Sequence, residues 1–288
     1  MKARLECVPC IFRQALNTLE VIPKGKEKAL EVLKLVAKYF RQADLNRTPA
    51  NLSQIPYRAV EEVTGVIDPF RVRKKRSNRE ALLFLGRMRK FVRRASDPLF
   101  AAVKVALAGN VIDLGLGIPY DLNHELTELK TRRLAINDYA EFQRRLKKTR
   151  RILYIGDNAG EIVFDRVLVE ELKRTGSYEI TFVVKSGPII NDALMADARA
   201  AGLAELVPVI ETGNRCIGVD LATVSPEMKR AFREADLIIS KGQGNFESLN
   251  GTDKRIFFIL KAKCDCVADE LGVELGDWIF LQGGSRGG

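Results

Sequence analysis

The chain carries one histidine in 288 residues, His124. A multi-histidine zinc centre is therefore excluded, and a Ser-His-Asp triad or a histidine phosphatase would have to hang on this one residue. His124 sits in a polar segment, where a surface or capping role is the expectation. The five cysteines are odd in number, and the opening Met1-Lys-Ala-Arg-Leu-Glu-Cys7 holds no apolar leader core. A disulfide framework is accordingly not expected. No apolar run approaches the roughly 18–20 residues that span a bilayer. Together these absences predict a cytoplasmic protein with no membrane association, and any metal it holds must rest mainly on oxygens or thiolates.

What is present fits a globular chain, with 46% hydrophobic and 29% charged residues, long enough for one large domain or two smaller ones. The net charge of +10 is uneven. Residues 1–150 hold 31 Lys and Arg against 16 Asp and Glu, whereas residues 151–288 hold 16 against 21. The basic half reads first as a solvated helical surface and second as a funnel for anionic small molecules. Nucleic acid ranks third, because the strongest cluster, Arg71-Val-Arg-Lys-Lys-Arg76, has no interleaved aromatics and no surrounding nucleic-acid motif. That cluster is expected to be a linker or a helix start.

Apolar spacing predicts helices from Ile11 to about Val21 and over Lys26–Arg41, Ser53–Thr64 and Ser77–Ala95. Residues 1–96 are thus predicted to form a helical domain. Residues 97–282 are predicted to form a Rossmann-like α/β/α domain with a mostly parallel sheet, and residues 283–288 a disordered tail. The expected strands are Arg151–Ile155, Glu179–Lys185, Leu206–Ile210, Ala235–Ser240, Arg255–Ala262 and Asp277–Leu281.

Polar residues gather where these strands end, the edge on which open α/β sheets bind ligands. The first strand runs into Gly156-Asp157-Asn158-Ala159-Gly160-Glu161 and then a helix. The second ends in Lys185 and is followed by Asn191-Asp192. The fourth leads into Lys241-Gly242-Gln243-Gly244-Asn245-Phe246-Glu247. Two carboxylates and an amide oxygen suit a hard divalent cation such as magnesium or manganese. Lys241 is expected to neutralise charge on a phosphate, cradled by the backbone of Gly242 to Gly244. Each motif alone has a plain structural reading: Asp157 or Asn158 as a helix cap, Gly242-Gln-Gly244 as an ordinary loop. Asn110 and Asp113 would share a helix face, or mark a helix stop. Cys7-Val-Pro-Cys10 suits redox exchange, metal binding or a purely structural role, and that choice stays open.

In combination these motifs resemble the metal-dependent damage-control phosphatases, catalogued as domain of unknown function 89. The resemblance takes in Gly156–Glu161, Asn191-Asp192, Lys241–Glu247, Gly109-Asn110-Val-Ile-Asp113, Lys263-Cys264 and Cys7–Cys10, and it covers essentially the whole chain. The Cys-x-x-Cys start is similar to that of the short prokaryotic branch. The resemblance implies a metal held by Asp157, Asn158 and Asp192, with Mg, Mn, Co or Ni as candidates. It implies that Lys241 and the loop through Gly242, Gly244, Asn245 and Glu247 surround the substrate, with Asn110 and Asp113 at the pocket wall. Lys185 is a further candidate substrate contact from its strand end, and Asp157, Asp113 and Lys241 are the candidate catalytic residues. The implied substrate is a small phosphorylated metabolite: a sugar phosphate, a pantetheine phosphate or a damaged relative. Glu161 is expected to do no more than favour the helix dipole.

Two other functions are compatible with the pattern. A nucleotide- or methyl-donor-dependent transferase could use the same fold, although no Gly-x-Gly-x-x-Gly follows the first α/β strand. A nucleic-acid-binding module would use the basic half.

Overall fold

A computed structural model of the chain describes residues 1–22, 25–109, 129 and 131–284. The expected α/β architecture is present. Seven strands form one sheet: β1 (Ile136–Asn137), β2 (Arg151–Ile155), β3 (Glu179–Val184), β4 (Val209–Glu211), β5 (Leu237–Lys241), β6 (Ile256–Lys261) and β7 (Trp278–Gln282). Their spatial order is β1-β7-β6-β5-β2-β3-β4. Every pairing is parallel except β6 with β7. The chain runs outward from β2 through β3 to β4, then crosses back to place β5 on the other flank of β2. Between β2 and β5 the strand order reverses, which opens a crevice at their carboxyl ends.

The central strands are buried on both faces, as their near-continuous apolar runs require. One face is covered by α5 (Arg71–Arg93), α6 (Pro98–Gly109), α7 (Tyr139–Leu146), α8 (Glu161–Thr175) and the short α9 (Met195–Ala200). The other carries α10 (Pro226–Glu234), α11 (Gln243–Leu249) and α12 (Asp265–Leu271). Ahead of these, α1 (Cys7–Glu20), α2 (Lys26–Phe40) and α4 (Gln54–Thr64) build a separate small core around Ile11, Val32, Val36 and Ala59. The short α3 (Pro49–Leu52) packs against α11 and so brings that helical layer to the edge of the sheet where the crevice opens.

Several elements depart from their expected bounds for identifiable reasons. α5 starts at Arg71, so the basic cluster is its first two turns. Lys74 is buried there and pairs with Asp68 at 2.8 Å, while Arg71, Arg73, Lys75 and Arg76 face solvent. Ala81, Leu85, Met88 and Val92 of α5 lie in the same core as the sheet, so the packing of α5 does not follow the expected boundary at 96/97. β4 starts at Val209 because Leu206 and Val207 turn back onto the Leu203 carbonyl and Pro208 has no N–H to donate. β1 pairs only two residues with β7, too short for a periodicity signal. Asn110, Asp113, His124 and the end of the predicted tail lie outside the described residues. Among the described residues no helix is long and apolar enough to cross a membrane.

Phe142 of α7 pins its helix to the sheet, with its ring edge-on to Phe257 at 5.1 Å and to Phe280 at 5.2 Å. Phe142→Ala is expected to cost about 3–5 kcal/mol in denaturant unfolding, the range for removing a buried ring from a packed core. A loss under about 1 kcal/mol would show that this contact does not hold α7 to the sheet.

Candidate active site

Residues following β2, β3 and β5 meet at the crevice. After β2 the chain turns through Gly156, where an added Cβ would lie 2.8 Å from the Phe182 ring, so only glycine lets the turn pass. Asp157 and Asn158 follow, and they are tied to the segment after β3 by two backbone bonds. The Ala159 N–H donates to the Asn191 carbonyl at 2.9 Å, and the Ala193 N–H donates to the Asp157 carbonyl at 2.8 Å. Asn158 and Asp192 thereby face each other in a short antiparallel bridge. Ile190, just upstream, holds φ at 43°, a left-handed conformation that is costly for a β-branched side chain. The strain sits where the chain must present Asp192.

The segment after β5 approaches from the opposite side. A Cβ on Gly242 would fall 1.8 Å from Asp157 Oδ2, and Gly242 holds φ at 83°. Glycine is required here twice over, for its conformation and because the carboxylate lies against its backbone. Asn245 is buried, and its amide donates to the Gly156 carbonyl at 3.1 Å and to the Lys241 carbonyl at 2.7 Å. It clamps the two loops together. Gly244 packs 3.1 Å, measured from its would-be Cβ, against Ile217. Glu247 lies one turn further along α11, accepting from Gln243 Nε2 at 2.9 Å.

Negative charge is crowded in this space. Burial pushes Asp157 well above the usual carboxylate range, and the charges of Glu161 and then Asp192 push it further. One edge of Asp157 nevertheless stays accessible. Asp192 is raised to about 6, by burial first, with Lys185 pulling down and Glu161 pushing up. Glu161 is only 6% exposed. Its Oε1 accepts from Asn158 Nδ2 at 2.7 Å, and its Oε2 has no hydrogen-bond donor among the described residues.

The lysines are placed differently from expectation. Lys241 is fully buried and turned into the protein, donating to Asp165 Oδ1 at 2.7 Å and to the Ala106 carbonyl at 2.9 Å. Burial lowers its pKa, and Asp165 and Glu161 more than reverse that, so the ammonium stays charged. In this position the Lys241 ammonium lies beneath the carboxylates, 3.8 Å from Glu161 Oε2. Lys185 is likewise buried, donating to the Gly218 carbonyl, with its ammonium 3.7 Å from Asp192 Oδ2. Among the described residues, the exposed Lys263 also acts through its charge on Asp157, and its backbone N–H donates to Gln243 Oε1 at 2.9 Å.

Sequence reasoning passed over several contributors. Asp165, buried in the second turn of α8, accepts from Tyr154 as well as Lys241 and is raised to about 6 by burial. An acid inside the apolar run Ile162–Val169, one helical turn after Glu161, was the available signal. Asn78 of α5 accepts from the Gly160 N–H at 2.7 Å and donates to Asp197 at 2.7 Å. Nothing local marks it, because its partners are remote in the chain. Glu161 was visible but valued only for the dipole.

The donor chemistry fits a hard divalent cation. Among the described residues no three His, Cys, Asp or Glu side chains form a ready ligand group. The set here instead mixes Asp157 and Asp192 with the amide of Asn158, and the buried Glu161 Oε2 beside them has no hydrogen-bond donor among the described residues, with Lys241 Nζ 3.8 Å away. Cys7 and Cys10 lie in the first turn of α1. Cys7 Sγ is 3.9 Å from Cys266 Sγ of α12, and Cys10 is exposed.

The model of the damage-control phosphatase ARMT1-like domain matches residues 3–279. A damage-control phosphatase of Pyrococcus horikoshii is 39% identical over 285 residues, 98% of either chain. A damage-control phosphatase of Archaeoglobus fulgidus is 36% identical over 291 residues, covering 97% of this chain and 98% of its own. The crystal structure of a DUF89 family protein from Pyrococcus horikoshii matches with a TM-score of 0.89 at 37% identity, over 98% of this chain and 99% of that one.

Burial raises Glu247 from the ordinary 4.5 to about 7. Its proton is therefore held more tightly in the folded state, so this group favours the fold below pH 4.5 and loses that contribution as pH rises towards 7. Glu247→Gln is expected to melt close to the parent at pH 5 and above it at pH 8, by an amount on the order of 2–3 kcal/mol. An equal gap at both pH values would contradict the assignment.

Proposed function

The chain belongs to the damage-control phosphatase ARMT1-like family, and on that premise we propose that it is a divalent-metal-dependent phosphatase of small phosphorylated metabolites. The observation that carries the reading is the crowding of Asp157, Glu161 and Asp192 around Asn158 at the β2–β5 crevice, with Glu161 Oε2 left without a donor. Asp157, Asn158 and Asp192 are the residues to hold the ion, with Mg, Mn, Co or Ni as candidates.

A divalent cation at this place supplies Lewis-acid polarisation of a phosphoryl oxygen. The chain's own residues do the rest. Gly242 keeps its backbone against the Asp157 carboxylate, where any side chain would collide with Oδ2. Lys263, exposed at the rim, offers a positive charge to the incoming phosphate dianion. Lys241 stays below, fixing Asp165 and easing repulsion among the acids. Asp157, partly accessible at the crevice, takes a proton from the attacking oxygen or attacks phosphorus itself. With Asp157 as base, water attacks phosphorus and the P–O bond to the alcohol breaks. With Asp157 as nucleophile, the alcohol leaves first and water then hydrolyses the aspartyl phosphate, so both routes consume one water and release inorganic phosphate and the alcohol. Asp113 and Asn110 remain candidates for the pocket wall. The nature of the substrate follows the family: sugar phosphates, pantetheine phosphates or damaged relatives. A transferase or a nucleic-acid module has no comparable feature in its favour.

Hydrolysis of a generic aryl phosphate should depend on added Mg, Mn, Co or Ni and be abolished by chelator. Asp157→Ala and Asp192→Ala should each lower kcat/KM by at least about 100-fold, on the order of 3 kcal/mol of transition-state stabilisation. Metal-independent turnover, or both variants as active as the parent, sinks the proposal.

A further inference from the structure

We infer that Glu161 is a positioning residue that fixes the side-chain amide of Asn158 so that its oxygen, and not its nitrogen, is offered to the cation. The inference rests on the metal-dependent reading above and goes beyond it, since Glu161 is not among the residues assigned to the ion.

An asparagine amide is nearly symmetric in shape, and its two orientations exchange an acceptor for a donor. Only the oxygen can ligate a hard cation. In this site Asn158 Nδ2 donates twice, to Glu161 Oε1 at 2.7 Å and to Asp157 Oδ2 at 3.2 Å. Both amide hydrogens are thereby used, and Oδ1 has no donor among the described residues. Reversing the amide would set Oδ1 against two carboxylate oxygens and forfeit both bonds. The Glu161 contact is the shorter, and Asp157 is itself assigned to the ion, so Glu161 is the partner whose whole service is orientation.

Three features hold Glu161 in that role. It is the first residue of α8, at a turn where Gly160 holds φ at 85° and its N–H is captured by Asn78. Its backbone is pressed by α6, since a Cβ on Gly109 would lie 3.4 Å from Glu161 Cα. Its Oε2 lies 3.8 Å from Lys241 Nζ, an ion pair that ties the far edge of the carboxylate to the buried lysine, while the lysine's hydrogen bonds go to Asp165 and Ala106. A hydrogen bond that orients a metal ligand changes metal affinity by about 10–100-fold when it is removed.

The test is a double-mutant cycle on Mn2+ affinity, read from free-ion EPR in titrations of the full chain, with thermal melts confirming that each variant folds. Glu161→Ala is expected to weaken Mn2+ binding about 10–100-fold, and Glu161→Gln, which can still accept from Asn158 Nδ2, to recover most of that loss. In an Asn158→Asp background the ligand is a symmetric carboxylate that needs no orienting. There, adding Glu161→Ala should change affinity by less than about threefold, a coupling expected only between residues that act through each other. Should the alanine variant not fold, Glu161→Asp, which keeps the charge but not the reach, takes its place with the same expectation. Affinity unchanged by these substitutions overturns the inference, as does an equal loss in both backgrounds, which would make Glu161 a ligand or a purely structural residue. A parent chain that binds no Mn2+ removes the inference together with the metal-dependent reading, whereas a parent that binds while the cycle fails removes the inference alone.

Discussion

Electrostatic crowding at the β2–β5 crevice is the constraint around which the rest of the site is arranged. Asp157, Glu161 and Asp192 would repel one another at any separation small enough to share a ligand, and burial makes each charge more costly. The fold answers with two buried lysines, Lys241 beneath Glu161 and Lys185 beside Asp192, and with a dense set of backbone bonds that keep the carboxylates in place. The positive charge built into the protein relieves the crowding only in part. Glu161 Oε2 and Asp165 Oδ2 both stay without hydrogen-bond donors among the described residues, which is an unusual condition for buried carboxylates. A site left short of positive charge in this way is suited to draw in a cation and, through it, an anionic substrate.

The sheet topology explains why the crowding occurs here. The crossover from β4 to β5 puts two strand ends on either side of β2, so segments separated by roughly 85 residues come into contact at the switch point. Glycines then let them touch: Gly156 under the Phe182 ring, Gly242 under the Asp157 carboxylate. The helical layer completes the frame, with α5 reaching over through Asn78 to fix Gly160, and with Arg215 beyond β4 pairing with Glu61 of α4 at 2.8 Å. Positioning is thus shared between distant parts of the chain, and the N-terminal helices take part in it.

Much of this is legible in the sequence alone. Apolar runs bounded by Gly, Asn and Asp located six of the seven strands, and the residues at their ends named Asp157, Asn158, Asp192 and Gly242 as neighbours. The illegible parts share one physical cause: they depend on which way a side chain turns once packed. A lysine in a glycine-rich loop looks like a phosphate ligand, yet Lys241 is the last residue of a fully buried strand and points towards Asp165. Asn245 in the same loop looks like a substrate contact, and its Nδ2 also donates to two backbone carbonyls, which spacing does not show. Glu161 occupies the first position of a helix, where an acid is favoured anyway, so its second role was hidden behind an ordinary one. The antiparallel turn of β7 and the two-residue β1 carry too little periodicity to be read from spacing.

The most direct measurement of the central claim is the location of the ion. Crystals grown with Mn2+ should show one strong anomalous peak at roughly 2.0–2.6 Å from oxygens of Asp157, Asn158 and Asp192, the range for hard-oxygen ligation. A peak seated elsewhere, such as against Cys7 and Cys266, or no peak at a saturating concentration, would contradict the account.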